Sequence, residues 1–192
     1  MRFLDALLGR TKPVKPNLDT LFAVPAAGTT LQAALDLAPT GVGAVCFKTA
    51  EGQAAAQAEA DALELLAADQ TVPPAVSHDE YGYTWIASHH DGGDLAGLVT
   101  DLHGVNTTLA EAGYGPSLLC TIIGFTGTRA GDTRRLGLVY LFKRGTIYPF
   151  APTGAKTRDN DLELQARAQL TGELPIEADL SRWFPIWATP AL

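Results

Sequence analysis

LLCTIIGF (118–125) and LGLVYLFK (136–143) are two near-continuous apolar runs separated by ten residues, TGTRAGDTRR (126–135), that are mostly polar. Runs this short, rich in β-branched and aromatic residues, read as strands. Apolar character without alternation marks strands covered on both faces, or nearly so. The polar connection predicts an antiparallel pair. Arg144-Gly145 then turns the chain into TIYPF (146–150), the third strand of a meander.

Working outward, Val42–Thr49 (VGAVCFKT) and Glu80–Ser88 (EYGYTWIAS) read as two further strands. In the second, Tyr81, Tyr83 and Trp85 recur every second residue, the period of a strand. Helical patterns surround them. A short turn near 18–23 leads to a helix over 29–37, with Pro25 read as a break and Pro39 as a stop. Residues 51–69 are rich in strong helix formers, with Ala56, Ala60, Leu63 and Ala67 as the expected apolar stripe. The clearest helix spans 95–112, with Asp94 as N-cap, Leu95, Leu98, Val99, Leu102, Val105 and Leu109 facing inward, and Gly113 ending it. A last helix spans 159–170, capped by Asp159 and closed by Gly172. The tail DLSRWFPIW (179–187) holds two of the three tryptophans and is expected to pack onto the domain. This order predicts an α+β fold: an antiparallel sheet of about five strands packed against helices. No repeat or composition shift divides residues 17–192, which read as one domain.

Residues 1–16, MRFLDALLGRTKPVKP, differ from the rest. Phe3, Leu4, Leu7 and Leu8 share one side of a short amphipathic helix, while Arg2, Arg10, Lys12 and Lys15 make the segment basic. Pro13 and Pro16 bracket a stiff linker. The segment carries four of the fourteen basic residues and one of the twenty-one acidic ones, leaving ten basic and twenty acidic residues for the body. Three readings stay open for this hook: folding back onto its own domain, lying on a membrane surface, and docking on a partner. Burial contributes roughly 1.5–3 kcal/mol per apolar side chain, and each basic residue adds about 1 kcal/mol near anionic lipid. After ordering costs, that supports reversible adhesion only.

The totals exclude several classes. A net charge of −7 over 192 residues argues against a nucleic-acid partner. At 46% hydrophobic and 18% charged, the body is globular rather than disordered. No run reaches the length of a membrane span, and the N-terminus lacks the pattern of a secretory signal, so a cytoplasmic protein is expected, with peripheral contact at the inner membrane face through the hook. Cys46 and Cys120 sit in apolar runs and read as buried free thiols, with a redox or metal pair as the alternative.

No phosphate loop, nucleophile elbow or zinc helix is present. Gly41-Val42-Gly43 precedes a strand rather than opening a helix. His78, Asp79, His89 and His90 lack the spacing of a metal site. Asp159-Asn160-Asp161 with Glu163 lacks the glycine and twelfth-position carboxylate of a calcium loop and suits a helix N-terminus. No catalytic residue, metal ligand or cofactor is therefore assigned. Tyr81, Tyr83, Trp85, Tyr140 and Tyr148 form a candidate aromatic sheet face, with core packing as the alternative. His103 and Asn106, three apart on the clearest helix, are a candidate polar pocket together with Tyr83. The basic pairs Arg134-Arg135 and Lys143-Arg144 flank the meander strands, either solvated or meeting an acidic partner or phosphate.

The chain resembles an actinobacterial family of about this length, the PspA-associated protein PspAB. The resemblance rests on MRFLDALLGR with Lys12-Pro13 and Pro16-Asn17-Leu18-Asp19, on Pro39-Thr40-Gly41-Val42-Gly43, and on Tyr81-Gly82-Tyr83-Thr84-Trp85. It continues through DLAGLVTDLH (94–103), Leu138-Val139-Tyr140-Leu141, KRGT (143–146), Tyr148-Pro149-Phe150-Ala151-Pro152 and DLSRWFP (179–185). It implies a link to the phage-shock envelope-stress system and a PspA-like protein partner, and it supplies no catalytic motif. The expected function is a non-enzymatic adaptor or regulator near the membrane. The alternatives are a chaperone-like module holding a client segment, a small-molecule-binding protein, and an enzyme of unrecognised type. Homo-oligomerisation through the meander stays open.

Overall fold

A computed structural model describes residues 16–48, 52–67, 73–154, 156–187 and 189–192. The hook residues Arg2, Phe3, Leu4, Leu7, Leu8, Arg10, Lys12 and Lys15 lie outside the described residues. The two apolar runs are the strands β4 (Leu118–Arg129) and β5 (Asp132–Leu141), paired antiparallel. Both are longer than expected. The polar connection does not form a loop: its residues stay on the ladder as far as Arg129 opposite Asp132, leaving Ala130 and Gly131 as a two-residue turn. Both turn residues have positive φ, 54° and 91°, matching the twist that tight hairpins require.

Around this hairpin lie β1 (Ala38–Lys48), β2 (Ala75–His78), β3 (Tyr83–His89) and β6 (Thr146–Phe150), in one sheet of order β2-β3-β1-β4-β5-β6. Every neighbouring pair is antiparallel. The sixth strand, β2, is a four-residue edge with mostly exposed residues, too short and polar to stand out in the sequence. A two-stranded ribbon, β7 (Pro152–Gly154) and β8 (Thr157–Arg158), follows β6.

Four α-helices are described: α1 (Val24–Leu35), α2 (Gln53–Ala67), α3 (Leu95–Leu109) and α4 (Asn160–Leu170). A 3-10 segment, Leu18–Ala23, leads into α1. Pro25 starts α1 rather than breaking it, because in the first turn its missing N–H has no helical acceptor to lose. The stripe expected on α2 is corrected: Ala58, Ala62 and Leu66 are buried, while Ala56, Ala60 and Ala67 are exposed and Leu63 half-buried. With alanine at so many positions, periodicity could not choose the face. In α3 the expected inward residues are all buried, and Asp94 Oδ1 accepts from Gly97 N at 2.9 Å. Gly113, at φ 92°, ends the π-helical turn that follows. Asp159 caps α4 through Leu162 N, which accounts for its acidic start without a cation.

Helices cover one sheet face and the C-terminal segment covers the other. The first face presents Val45, Phe47, Ile86, Ile123, Phe125, Leu138 and Tyr140 to a core shared with α1, α3 and α4. The second presents Ala44, Cys46, Trp85, Ala87, Cys120, Ile122, Val139, Tyr148 and Phe150, packed with Trp183, Ile186, Trp187, Ala191 and Leu192. This two-sided cover is why β4 and β5 are apolar at successive positions.

Candidate functional site

The tail does not seal the second face completely. Cys46 stands opposite both Trp85 on β3 and Cys120 on β4, and Cys120 opposite Leu141 on β5. These four residues form one row across four strands, about 14 Å at the usual spacing between strands. Above this row is a cleft of about 630 Å³, within the range of about 300–1,000 Å³ usual for ligand sites. Tyr148 and Leu119 extend the floor. Phe184, Pro185, Ile186 and Trp187 form one wall, and Tyr81 and Tyr83 another. Lys143, Arg144 and Arg182 also line it, as does Asp79.

Each wall is fixed by identifiable bonds. Tyr148 donates its hydroxyl to Phe184 O at 2.8 Å and stacks on Trp183, with ring centroids 5.9 Å apart. Trp183 Nε1 donates to Glu177 O at 3.0 Å, and Arg158 donates to Trp183 O at 2.8 Å. Arg158 is in turn paired with the buried carboxylate of Glu163, which also accepts from Ala151 N. Glu177 anchors the segment to the β5–β6 turn, accepting from Arg144 Nε, Thr146 Oγ1 and Asp179 N. Burial opposes its charge, but these donors, Arg144 first, hold its carboxyl below the ordinary 4.5.

At the β3 end, Asp79 accepts from Tyr81 N, Tyr83 N and Trp85 Nε1 at 2.9–3.1 Å. Burial works against its charge, and these three donors outweigh it, keeping the carboxyl below 3.8. On the floor, a hydrogen bond with Cys120 and then burial push the Cys46 thiol far above the ordinary thiol range. Both cysteines are free and buried. Burial likewise pushes the Tyr148 hydroxyl upward.

The structure divides the expected aromatic face. Tyr81, Tyr83, Trp85 and Tyr148 all line the cleft, with Tyr81 57% exposed and Tyr148 buried. Tyr140 does not join them: it lies on the opposite face, in the helix-covered core, because it is one residue out of phase with Val139, the partner of Tyr148. The pairing of His103 with Asn106 is also corrected. Asn106 is wholly buried against the sheet, donating to Leu102 O and Thr121 Oγ1 at 2.7 and 2.8 Å. His103 points outward, its ring centroid 4.7 Å from that of Phe22 and its Nε2 3.5 Å from Asp19. Neither lines the cleft, and Tyr83 is on the far side of the sheet from both.

His90 is held by Asp94 at 2.9 Å and Asp101 at 2.7 Å, and Asp101 also accepts from Ser88 Oγ. This network ties β3 to α3. No group of three or more metal-ligating side chains occurs among the described residues. No described helix is long and apolar enough to cross a membrane. Arg182, Phe184 and Ile186 line the cleft without having been expected there, and Asp79, weighed from the sequence only as a metal ligand, lines it too. The alternation of Tyr83 and Trp85 in β3 was the signal for part of the site; Tyr81, expected in the same strand, lies in the turn before it, and the tail residues gave no signal, since only folding brings them over the sheet.

A family model described as PspAB, PspA associated protein B, matches residues 1–191, and the chain belongs to this family. No curated protein and no solved structure matches the chain significantly.

Proposed function

We propose, with membership of a PspA-associated family as the premise, that the protein is a non-enzymatic adaptor whose partner is a PspA-like protein. The observation that carries this reading is the cleft mouth, where the large rings of Tyr81 and Phe184, each 57% exposed, stand over an apolar site. Aromatic side chains at the edge of a concave apolar surface are typical anchors for a protein partner. The hook supplies the second contact, through Phe3, Leu4, Leu7 and Leu8. Its basic residues Arg2, Arg10, Lys12 and Lys15 add weak attraction to an anionic inner membrane face, where the adaptor works peripherally from the cytoplasm.

The test is co-precipitation of the purified PspA-like protein encoded in the same genome with the intact chain, with the chain starting at residue 17, and with Leu4→Asp/Leu7→Asp. Recovery with the intact chain alone, at unchanged melting temperature, supports docking through the hook. Equal recovery by all three assigns recognition to the cleft mouth. Recovery by none refutes the adaptor reading.

A further inference from the structure

We propose that the interior of the cleft is a binding site for a single-chain anionic amphiphile, a long-chain carboxylate. This inference goes beyond the adaptor role and does not depend on it, because it rests on the interior rather than on the exposed rings at the mouth. The floor row Trp85–Cys46–Cys120–Leu141 crosses four strands, about 14 Å at the usual strand spacing, and so gives an extended apolar track longer than a single side chain needs. The volume of about 630 Å³ lies within the range of about 300–1,000 Å³ usual for small-molecule sites, room for one long acyl chain with its carboxylate.

Charge gives the ligand its direction. Beyond Leu141, at the β5 end of the row, lie Lys143 and Arg144, and Arg182 also lines the cleft. Arg144 is paired with Glu177 and Arg182 with Asp179, whereas Lys143 is exposed and has no ion pair among the described residues. Lys143 is therefore the cation available to a carboxylate head group. The acid at the β3 end, Asp79, is committed to Trp85 and two backbone N–H groups, so that end receives the apolar tail between Tyr83 and Trp85. The basic hook is a poor occupant, because its positive charge would meet these same cations.

All three tryptophans report on the site: Trp85 and Trp187 line it, and Trp183 stacks on Tyr148 of its floor. The experiment titrates the full chain with 9,10-dibromostearate below its aggregation concentration and follows tryptophan fluorescence. Saturable quenching, reversed by stearate, is expected. Octadecyltrimethylammonium should bind at least several-fold more weakly than stearate. Lys143→Glu, a substitution at an exposed position, should weaken stearate about five-fold, the upper range for one solvent-exposed ion pair. Absence of quenching, or equal binding of the anionic and cationic amphiphiles, overturns the proposal. Quenching by vesicles of brominated phosphatidylglycerol but not by the free acid also overturns it, assigning the surface to membrane contact instead. The adaptor reading is judged separately by co-precipitation, so either can fail alone.

Discussion

Glu177→Gln should loosen the segment that roofs the cleft, and its cost depends on pH in a defined direction. The carboxylate is 2% exposed and accepts from Arg144 Nε at 2.5 Å, Thr146 Oγ1 at 2.8 Å and Asp179 N at 3.1 Å. Hydrogen bonds to a charged group contribute about 1.5–3 kcal/mol each. The amide keeps one good acceptor, and the Arg144 side chain, 38% exposed, recovers water when its partner loses charge. A net loss of about 2 kcal/mol is expected at pH 7, lowering Tm by roughly 4–8 °C for a chain of this size. The folded carboxyl titrates below its ordinary 4.5, so the stability it contributes is present above that value and lost as pH falls through the folded pKa. Urea unfolding of wild type and variant at pH 7 and at stepwise lower pH is the assay. The gap should close in acid. A gap that persists unchanged to pH 3, or no gap at pH 7, would show that the charged Glu177 carboxylate does not hold this segment.

Other expectations concern the scaffold and the floor of the cleft. Asp94→Ala removes both the cap of α3 and one partner of His90, costing about 1 kcal/mol in chemical unfolding. For His90, burial disfavours the charge, but Asp101 and Asp94 outweigh it and raise the pKa above 6.5. Its contribution is therefore complete below 6.5 and lost as pH rises through the folded value; NMR titration should find His90 above 6.5 and lower in Asp94→Ala. Gly41, at φ +77°, would place a Cβ 2.1 Å from His90 O, so Gly41→Ala should destabilise by more than about 1 kcal/mol, read as a fall in Tm. Cys46 and Cys120 should react with a thiol reagent far more slowly in the folded chain than in urea, and stearate should slow them further; equal rates would contradict the covered floor.

Much of the architecture was legible because the patterns were local. LLCTIIGF and LGLVYLFK could not be amphipathic, so both faces of those strands had to be covered, and the tail rich in tryptophan was available to cover one. The apolar stripe of α3 and the caps at Asp94 and Asp159 followed from residue type and spacing. What escaped depended on tertiary context. Alanine is so frequent along α2 that its buried stripe was ambiguous. Ala130 adopts φ 54° to close a tight hairpin, although alanine rarely marks such turns. The site was half legible. Alternation placed Tyr83 and Trp85 on one face, but the phase of Tyr140 relative to Tyr148 depends on the turn over residues 142–145, and residue type alone could not assign it. Asn106 looked like a pocket residue, yet it spends both of its described donor bonds inside the fold.

The proposed adaptor role requires that a PspA-like partner bind the mouth of the cleft together with the hook. Isothermal titration of the purified PspA-like protein into the intact chain, and into Tyr81→Ala/Phe184→Ala, tests it most directly. Both substituted side chains are 57% exposed, so the variant should keep its fold. Saturable binding by the intact chain and at least ten-fold weaker binding by the double variant are expected, with the two melting temperatures within about 2 °C. Equal affinities would remove the cleft mouth from recognition, and no heat of binding with either protein would contradict the adaptor function itself.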